Sequence, residues 1–306
     1  MIWGVFVFVF VFVFTSVWYK KYMSTHNQIK NDGDVPILYK GMKFDAFKNY
    51  NLEYFKKAHG EVNIYVLKTK LNSVDMNGGI RKMKLREYCD AIEDKELYFK
   101  TEDGYDFLKI IGLKQKVSRV FDTFLKDVYE RDKNTIKDMV VYKDCSFWMG
   151  GKGTTTGWHT DRDDLSYLYV LQGKKRIQLV SPEFNGRMYE KKLFSFGARW
   201  SEMDFQQVDY ETYPLFKDVP VMTYTLEAGD CMYIPKDWWH CVENLEPTIG
   251  ITYKLFRFRH IKTLLSECIR KGYSILKGHE MFDISKLLKS NLSEEEIEEM
   301  KKQLFP

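Results

Sequence analysis

The chain has 306 residues, of which 44% are hydrophobic and 29% are charged, which is ordinary for a globular protein and long enough for one large domain. The formal net charge is +4, too small to indicate nucleic-acid binding by itself. The five cysteines are Cys89, Cys145, Cys231, Cys241 and Cys268. Their number is odd and none is in a Cys-x-x-Cys pair, so the sequence does not indicate a disulfide framework. Cys231 and Cys241 lie in strand-like runs and are predicted to be buried free thiols.

The first 21 residues are unusually apolar. The run from Ile2 to Tyr19 carries no charge and includes consecutive Val-Phe repeats. As a helix it would rise about 27 Å, close to the roughly 30 Å hydrocarbon core of a bilayer, although the strict alternation also suits a strand. Neither a basic start nor a small-residue cleavage site typical of a signal peptide is evident. We therefore predict an uncleaved membrane anchor at residues 1–21.

Two lysines bear on the orientation of this anchor. Lys20 and Lys21 directly follow the apolar run, and the positive-inside rule then places the rest of the chain in the cytosol. The predicted localisation is therefore membrane-anchored with a cytosolic main domain. The alternatives are a soluble cytoplasmic protein or a processed N-terminus.

Residues 22–34 contain Asn, Asp and Gly and are predicted to form a polar linker. The main domain is predicted to span residues 35–258 and to open with an extended segment that contains Pro36. Periodicity and composition then predict several elements before the centre of the chain. These are helices at residues 51–57, 84–93 and 114–127 and a strand at residues 95–98.

The most informative stretch of the chain is His159-Thr160-Asp161. Residues i and i+2 of a strand point to the same face, so His159 and Asp161 are predicted to converge. His240 lies far downstream, and only a folded sheet can bring it to the same point. Two histidines and one carboxylate form a facial triad, which holds non-haem Fe(II) and leaves open positions. The alternative is a structural zinc site, which is normally closed by a fourth ligand such as cysteine.

A second pair, His59-Gly60-Glu61, has the same spacing as the central one. It lies at a glycine turn before an apolar run and has no third ligand of matching context. We interpret it as surface turn chemistry.

Strand-like runs flank both ligand segments. They are rich in β-branched and aromatic residues and are separated by Gly and Pro. The runs are residues 146–150, 165–171, 176–180, 230–234 and 250–256. Many short strands with turn signals favour a barrel or sandwich, here with metal ligands inside.

Two further segments lie around and after these strands. Residues 184–220 form a long aromatic insert, which is predicted either to bind substrate or to cap the core. Residues 259–306 are predicted to be helical, with helical runs at 260–275 and 285–304. The second run either packs on the barrel or pairs with a second copy of the chain.

Several motifs occur together in an order typical of one family. They are TGWHTD at residues 156–161, GKKR at 173–176, DYETYPLF at 209–216, GDCMYIP at 229–235 and WWH at 238–240. The chain resembles the JmjC and cupin-like Fe(II)/2-oxoglutarate hydroxylases, nearest the branch of the factor-inhibiting-HIF and wybutosine tRNA hydroxylases. The resemblance implies a mainly β fold with added helices, a double-stranded β-helix or jelly roll with C-terminal helices. It also implies a homodimer formed through those helices.

The resemblance further implies a cofactor set of Fe(II), 2-oxoglutarate and O2. His159, Asp161 and His240 would be the catalytic iron ligands. The distal carboxylate of 2-oxoglutarate would be bound by three residues in the barrel, which are Tyr98, Thr156 and Lys175.

Two departures from the family pattern concern this pocket. The stretch between Asp161 and Gly173 is one residue longer than in the family, which makes Lys174 a rival to Lys175. The family often has asparagines near Ser166 and near Lys254, so the oxygen side of the pocket is expected to differ here.

The sequence leaves three functions open. The leading one is an Fe(II)/2-oxoglutarate-dependent dioxygenase that hydroxylates a protein side chain. The second is a hydroxylase of a modified tRNA base or a lysine demethylase, and the chain has no recognisable reader domain to favour demethylation. The third is a non-catalytic cupin-like binding module, against which the intact triad argues.

Overall fold

The computed structural model describes most of the chain after residue 34. The described ranges are residues 35–68, 80–92, 97–100, 107–130, 140–161, 165–195, 197–257, 261–281 and 293–295. The predicted anchor at residues 1–21 and the predicted linker at 22–34 lie outside these ranges. So does nearly all of the predicted second C-terminal helical run at 285–304.

Strands predominate in the described part of the chain. They are β1 (Ile37–Tyr39), β2 (Asn63–Lys68), β3 (Ile80–Lys84), β4 (Leu97–Lys100), β5 (Val140–Gly150), β6 (Thr155–Asp161), β7 (Leu165–Gln172), β8 (Lys175–Val180), β9 (Leu193–Phe194), β10 (Ala198–Trp200), β11 (Met222–Leu226), β12 (Cys231–Pro235), β13 (Trp239–Asn244), β14 (Thr248–Arg257) and β15 (Glu280–Met281). The helices are α1 (Leu52–His59), α2 (Leu85–Asp90), α3 (Phe107–Ile110), α4 (Lys114–Glu130) and α5 (Ile261–Leu276). Short 3₁₀ helices occur at Asp45–Phe47, Pro182–Arg187 and Pro214–Phe216.

Two facing antiparallel sheets form the body of the protein. The larger has the order β1-β12-β7-β14-β5-β4-β2-β3, and the smaller has the order β10-β6-β13-β8-β11. From β5 to β8 and again from β11 to β14, successive strands alternate between the two sheets. This alternation is the winding of a double-stranded β-helix, so the predicted jelly-roll fold with added helices is confirmed.

Three apolar clusters pack on the faces of these sheets. The space between the sheets is filled by a cluster that includes Val170, Ile177 and Leu179. The outer face of the larger sheet is covered by α1, α3 and α4, whose aromatic side chains pack on residues such as Tyr253. The outer face of the smaller sheet carries Trp158, Trp239 and Cys241 among others. The outer faces of both sheets are therefore covered by apolar side chains, and the polar residues between the sheets are surrounded by apolar residues.

The aromatic insert packs on the outside of the smaller sheet. Met188, Met203 and Phe216 join the cluster around Trp158 and Trp239. Within the insert, β10 pairs antiparallel with β6 and extends the smaller sheet by one edge strand. The insert therefore caps the core, one of the two roles predicted for it, and β10 also brings it beside the strand that carries His159.

The helices agree closely with the periodicity of the sequence. Helix α1 begins after Asn51, whose side-chain oxygen accepts a hydrogen bond from the backbone N–H of Tyr54 at 2.9 Å and so caps the helix. Helix α5 follows the barrel as predicted, and its last residues Ile275 and Leu276 are exposed. The predicted dimer through the C-terminal helices stays a prediction.

The lengths of the described helices test the predicted membrane-anchored localisation. Among the described residues, no helix is long and apolar enough to cross a membrane. The longest described helices, α4 with 17 residues and α5 with 16, rise only about 24–26 Å and carry charged side chains throughout. On this finding the predicted membrane-anchored localisation with a cytosolic main domain is wrong.

The turn between β7 and β8 requires glycine at position 173. Gly173 has a φ of +81°, and a Cβ atom there would lie 2.2 Å from the carbonyl oxygen of Pro247. We expect Gly173→Ala to lower the free energy of unfolding by about 1–3 kcal/mol, because it combines left-handed strain with a backbone clash. Gly272→Ala in α5 is the control, since a Cβ atom there would have no neighbour within 4 Å apart from the backbone of its own helix, and alanine favours a helix. Urea unfolding measures both, and equal stabilities of the two variants would contradict the prediction.

Candidate metal and cosubstrate site

The structure brings the three predicted iron ligands together between the sheets. His159 and Asp161 lie two residues apart on β6, and His240 on β13 pairs directly across from His159. One ligand atom from each residue lies within 4.8 Å of the others. Within the described ranges, this is the only cluster of at least three His, Cys, Asp or Glu side chains that could hold a metal ion.

Backbone carbonyls orient both imidazole rings. The Nδ1 atom of His159 lies 2.8 Å from the carbonyl oxygen of Gly157, and that of His240 lies 3.1 Å from the carbonyl oxygen of Trp238. A carbonyl oxygen can only accept, so each Nδ1 donates and each Nε2 keeps its lone pair. Burial lowers the pKa of His240, which favours the neutral ring that a metal requires. Both rings are therefore prepared to bind through Nε2.

The carboxylate of Asp161 is shared between two donors and the histidines. Its Oδ1 atom lies 2.9 Å from the Nζ atom of Lys254, and its Oδ2 atom accepts a hydrogen bond from the Ser166 hydroxyl at 3.3 Å. The same Oδ2 lies 3.9 Å from the Nε2 atom of His240. Burial alone would raise the pKa of Asp161, but the positive charge of Lys254 and the nearby imidazoles outweigh burial and hold that pKa below its usual value. Asp161 is therefore an anion with Oδ2 facing the other ligand atoms.

The neighbouring cysteine does not join the ligand cluster. Cys241 follows His240 on β13, so its side chain points to the opposite face and packs with Trp158 and Trp239. Its thiol donates to the Oε1 atom of Gln178 at 3.4 Å, and burial raises its pKa well above the usual value. In the described part of the chain the cluster has three members, which is the donor number of an open site and not of a closed structural zinc site.

A bulge in β6 explains the position of Thr156. His240 pairs with His159, but Val242 pairs with Thr156, so two steps on β13 match three steps on β6. Because His240 and Val242 share a face of β13, the bulge turns Thr156 to the face that carries His159. A regular strand would have turned it away. The structure thus places the predicted hydroxyl on the inner face with the triad.

The two candidate lysines have opposite environments. Lys175 is 1% exposed, and its Nζ atom donates to the Oδ1 atom of Asn244 at 2.6 Å. An ammonium group has three donors, and among the described residues no carboxylate pairs with this one. Burial lowers the pKa of Lys175 to about 7. Lys174, by contrast, is half exposed and forms an ion pair with Glu227 at 3.3 Å. The geometry therefore favours Lys175 as the anchor for an anion.

The remaining predicted residue is Tyr98. Its backbone pairs with Gly150, which in turn pairs with Thr248 of β14. Thr248 lies two residues from Gly250, where a Cβ atom would be 3.1 Å from the Cε atom of Lys175. The register of the larger sheet thus brings the backbone of Tyr98 to the region that contains Lys175.

Sequence reasoning missed two residues of the site. Asn244, which contacts Lys175, is four residues after His240 on the same strand, so the period of two could have revealed it. Trp200 stacks on His159 with ring centroids 4.7 Å apart and planes 18° apart. No local pattern gives this contact, because it depends on the pairing of β10 with β6 across the insert.

The donor set fits a divalent metal such as iron, and the buried ammonium of Lys175 fits a carboxylate. In a comparison with known protein families, residues 33–254 match the family model of the cupin-like domain. The chain belongs to the cupin-like domain family. This match and the JmjC relatives below confirm the predicted membership in the JmjC and cupin-like Fe(II)/2-oxoglutarate oxygenases. The nearer resemblance to the factor-inhibiting-HIF and wybutosine branch stays a prediction.

Several curated proteins align with part of the chain. Jumonji C domain-containing protein 5 of Drosophila melanogaster is 34% identical over 110 residues, which is 36% of this chain and 27% of that protein. JmjC domain-containing protein D of Dictyostelium discoideum is 33% identical over 34% of this chain and 23% of its own length. HSPB1-associated protein 1 of Mus musculus is 28% identical over 39% of this chain and 27% of its own length. The chain thus spans only about a quarter of the length of these relatives.

The geometry of the triad generates a second prediction. We expect the protein to bind one divalent ion per chain, and Asp161→Ala to weaken that binding by more than the roughly 10–100-fold typical of residues that only support a ligand. Visible absorption of bound Co(II) measures the affinity, and circular dichroism checks the fold. Glu61→Ala is the control, because it removes the carboxylate of the other His-x-acid pair. Equal Co(II) affinity in the Asp161 variant and the parent would show that Asp161 is not a ligand.

Proposed function

We propose that this protein is an Fe(II)- and 2-oxoglutarate-dependent hydroxylase that acts on a protein side chain. The observation that carries the proposal is the combination of an open three-donor cluster with a buried ammonium in the same barrel. A metal site alone would fit many cupins. A cation placed farther along the barrel is the feature that a dicarboxylate cosubstrate requires.

The register of the smaller sheet supports this assignment. His159, His240 and Leu179 form one cross-strand row, Thr156, Val242 and Ile177 the next, and Lys175 with Asn244 the third. Leu179 and Lys175 are four residues apart on β8, which is roughly 13 Å along a strand. An extended lysine side chain and 2-oxoglutarate together bridge such a distance. The distal carboxylate would then bind Lys175 and the hydroxyl of Thr156, with Tyr98 as the third predicted partner.

The protein's own residues would prepare the reaction in distinct ways. His159, Asp161 and His240 would hold iron on one face and leave the opposite positions for 2-oxoglutarate and O2. When bound, these groups supply the oxidising chemistry in which 2-oxoglutarate loses CO2 to give succinate and a substrate C–H bond is hydroxylated. The apolar cluster around Val170, Ile177 and Leu179 would exclude water, and Trp200 would form the wall beside His159.

A protein side chain is the substrate class that the surface supports best. The net charge of +4 gives little attraction for a polyanion such as RNA. The insert exposes apolar side chains at Tyr210 and Leu215, which are half exposed and suit a polypeptide partner. A screen of peptides and RNA oligonucleotides, read by a mass increase of one oxygen and by succinate release, tests the assignment. Modification of RNA alone, or loss of a methyl group from lysine, would contradict it.

Replacement of Lys175 is the direct test of the cosubstrate site. We expect Lys175→Met to weaken 2-oxoglutarate binding roughly 10–150-fold, because a charge-assisted hydrogen bond is worth about 1.5–3 kcal/mol. Lys174→Met, which removes an exposed lysine, is the matched control and should change the affinity less than twofold. Calorimetry with Mn(II)-loaded protein measures both. A larger loss in the Lys174 variant would mean that Lys174 is the anchor.

The low pKa of Lys175 gives a pH dependence with a definite sign. Burial lowers this pKa to about 7, and a bound carboxylate raises it, so 2-oxoglutarate binding takes up a proton above pH 7. We expect the affinity to be highest below pH 7 and to fall as the pH rises toward 9. Calorimetry at pH 8 in two buffers of different ionisation enthalpy measures the proton uptake. An affinity that is flat from pH 7 to 9, or equally pH-dependent in Lys175→Met, would contradict this mechanism.

A further inference from the structure

Lys254 is a cation that contacts the predicted metal ligand Asp161. It lies on β14, between Asp144 of β5 and Ser166 of β7 in the cross-strand register. Its Nζ atom is 2.9 Å from the Oδ1 atom of Asp161, and its side chain is 21% exposed. The adjacent carboxylate of Asp144 is bound instead by Lys114 at 3.1 Å. The charge of Lys254 is thus directed at Asp161, inside the barrel.

The two oxygens of Asp161 have different partners. Oδ1 is bound by the ammonium, whereas Oδ2 has the neutral hydroxyl of Ser166 and faces the Nε2 atom of His240. Oδ2 is therefore the oxygen nearer to the His240 ligand atom and would be the one to bind a metal, while Lys254 binds the other oxygen. A donor at this place both fixes the carboxylate and withdraws negative charge from it.

The formal charge of the ligand set follows directly. Two neutral imidazoles and one carboxylate carry a single negative charge, and the ammonium of Lys254 cancels it. The repulsion between Lys254 and a metal ion grows in proportion to the charge of the ion. A trivalent ion is therefore disfavoured more than a divalent ion at the same position, whatever the orientation of Asp161.

We propose that Lys254 is a positioning residue whose charge makes the metal centre favour Fe(II) over Fe(III). This inference rests on the proposed function, because it requires iron at His159, Asp161 and His240. It assigns to Lys254 a role in keeping the metal in the divalent state, separate from cosubstrate binding at Lys175.

Replacements of Lys254 separate charge from geometry. Lys254→Gln keeps a hydrogen-bond donor without the charge, and Lys254→Arg keeps the charge. Lys254→Met provides a second neutral side chain should the glutamine variant not fold. Ser166→Ala removes the other contact to Asp161 without any change of charge, and Lys174→Gln removes a distant exposed charge.

The measurement is a reductive titration of the iron-loaded protein without 2-oxoglutarate, in which a mediator passes one electron to Fe(III). We expect Lys254→Gln and Lys254→Met to shift the relative affinity for the two iron states at least tenfold toward Fe(III). A tenfold shift lowers the Fe(III)/Fe(II) reduction potential by about 59 mV, because the couple transfers one electron. Lys254→Arg, Ser166→Ala and Lys174→Gln should stay within threefold of the parent. Mn(II) affinity gives an independent check that each variant still binds a divalent ion.

Three outcomes overturn the inference. An unchanged potential in the neutral variants would mean that the charge of Lys254 does not act on the iron. Equal shifts in the Gln and Arg variants would mean that geometry and not charge is responsible. A parent protein that binds neither Fe(II) nor Mn(II) would overturn the proposed function as well, and this result distinguishes the two failures.

Discussion

The pairing of β6 with β13 is the constraint on which the whole site depends. It places His159 directly opposite His240, and the period of two on β6 adds Asp161 to the same face. The bulge in the same pair turns Thr156 inward, which a regular ladder would not allow. A one-residue slip in this register would face all these side chains outward. The apolar clusters on both sides of the smaller sheet, one with Ile177 and Leu179 and one with Trp158 and Trp239, oppose such a slip because each face buries its own set.

Among the described residues, the interior of the barrel holds an ion pair and an ammonium group that no carboxylate pairs with. Lys254 and Asp161 form an ion pair at 2.9 Å, whereas Lys175 is buried against the neutral amide of Asn244. Burying an ammonium without an anion is unfavourable, and the lowered pKa of Lys175 expresses that cost. Under the proposed function, a carboxylate bound beside Lys175 would offset this desolvation cost.

Much of the fold and the metal site could be predicted from the sequence, for identifiable reasons. The His159-x-Asp161 spacing encodes a shared strand face, and the helical spacing of apolar residues encodes α4 and α5. Local patterns could not give the bulge that turns Thr156 inward, because it is defined only by the partner strand. Nor could they give the stacking of Trp200 on His159 or the pairing of Lys254 with Asp161, each of which joins distant parts of the chain. The membrane-anchored localisation was inferred from the apolar length of one local run, and it is corrected by the finding that no described helix is long and apolar enough to cross a membrane.

The two lysines of the pocket lie on different sheets. Lys175 lies two cross-strand rows from the histidine pair, where under the proposed function it would contact the distal carboxylate of 2-oxoglutarate. Lys254 lies on the opposite sheet and contacts the predicted metal ligand Asp161, where its charge would act on the metal. Because the two charges reside on different sheets, substitution of one leaves the strand pairing around the other intact. Under the proposed function, cosubstrate affinity would depend on Lys175 and the charge preference of the metal on Lys254, and either residue could change while the strand pairing around the other is kept.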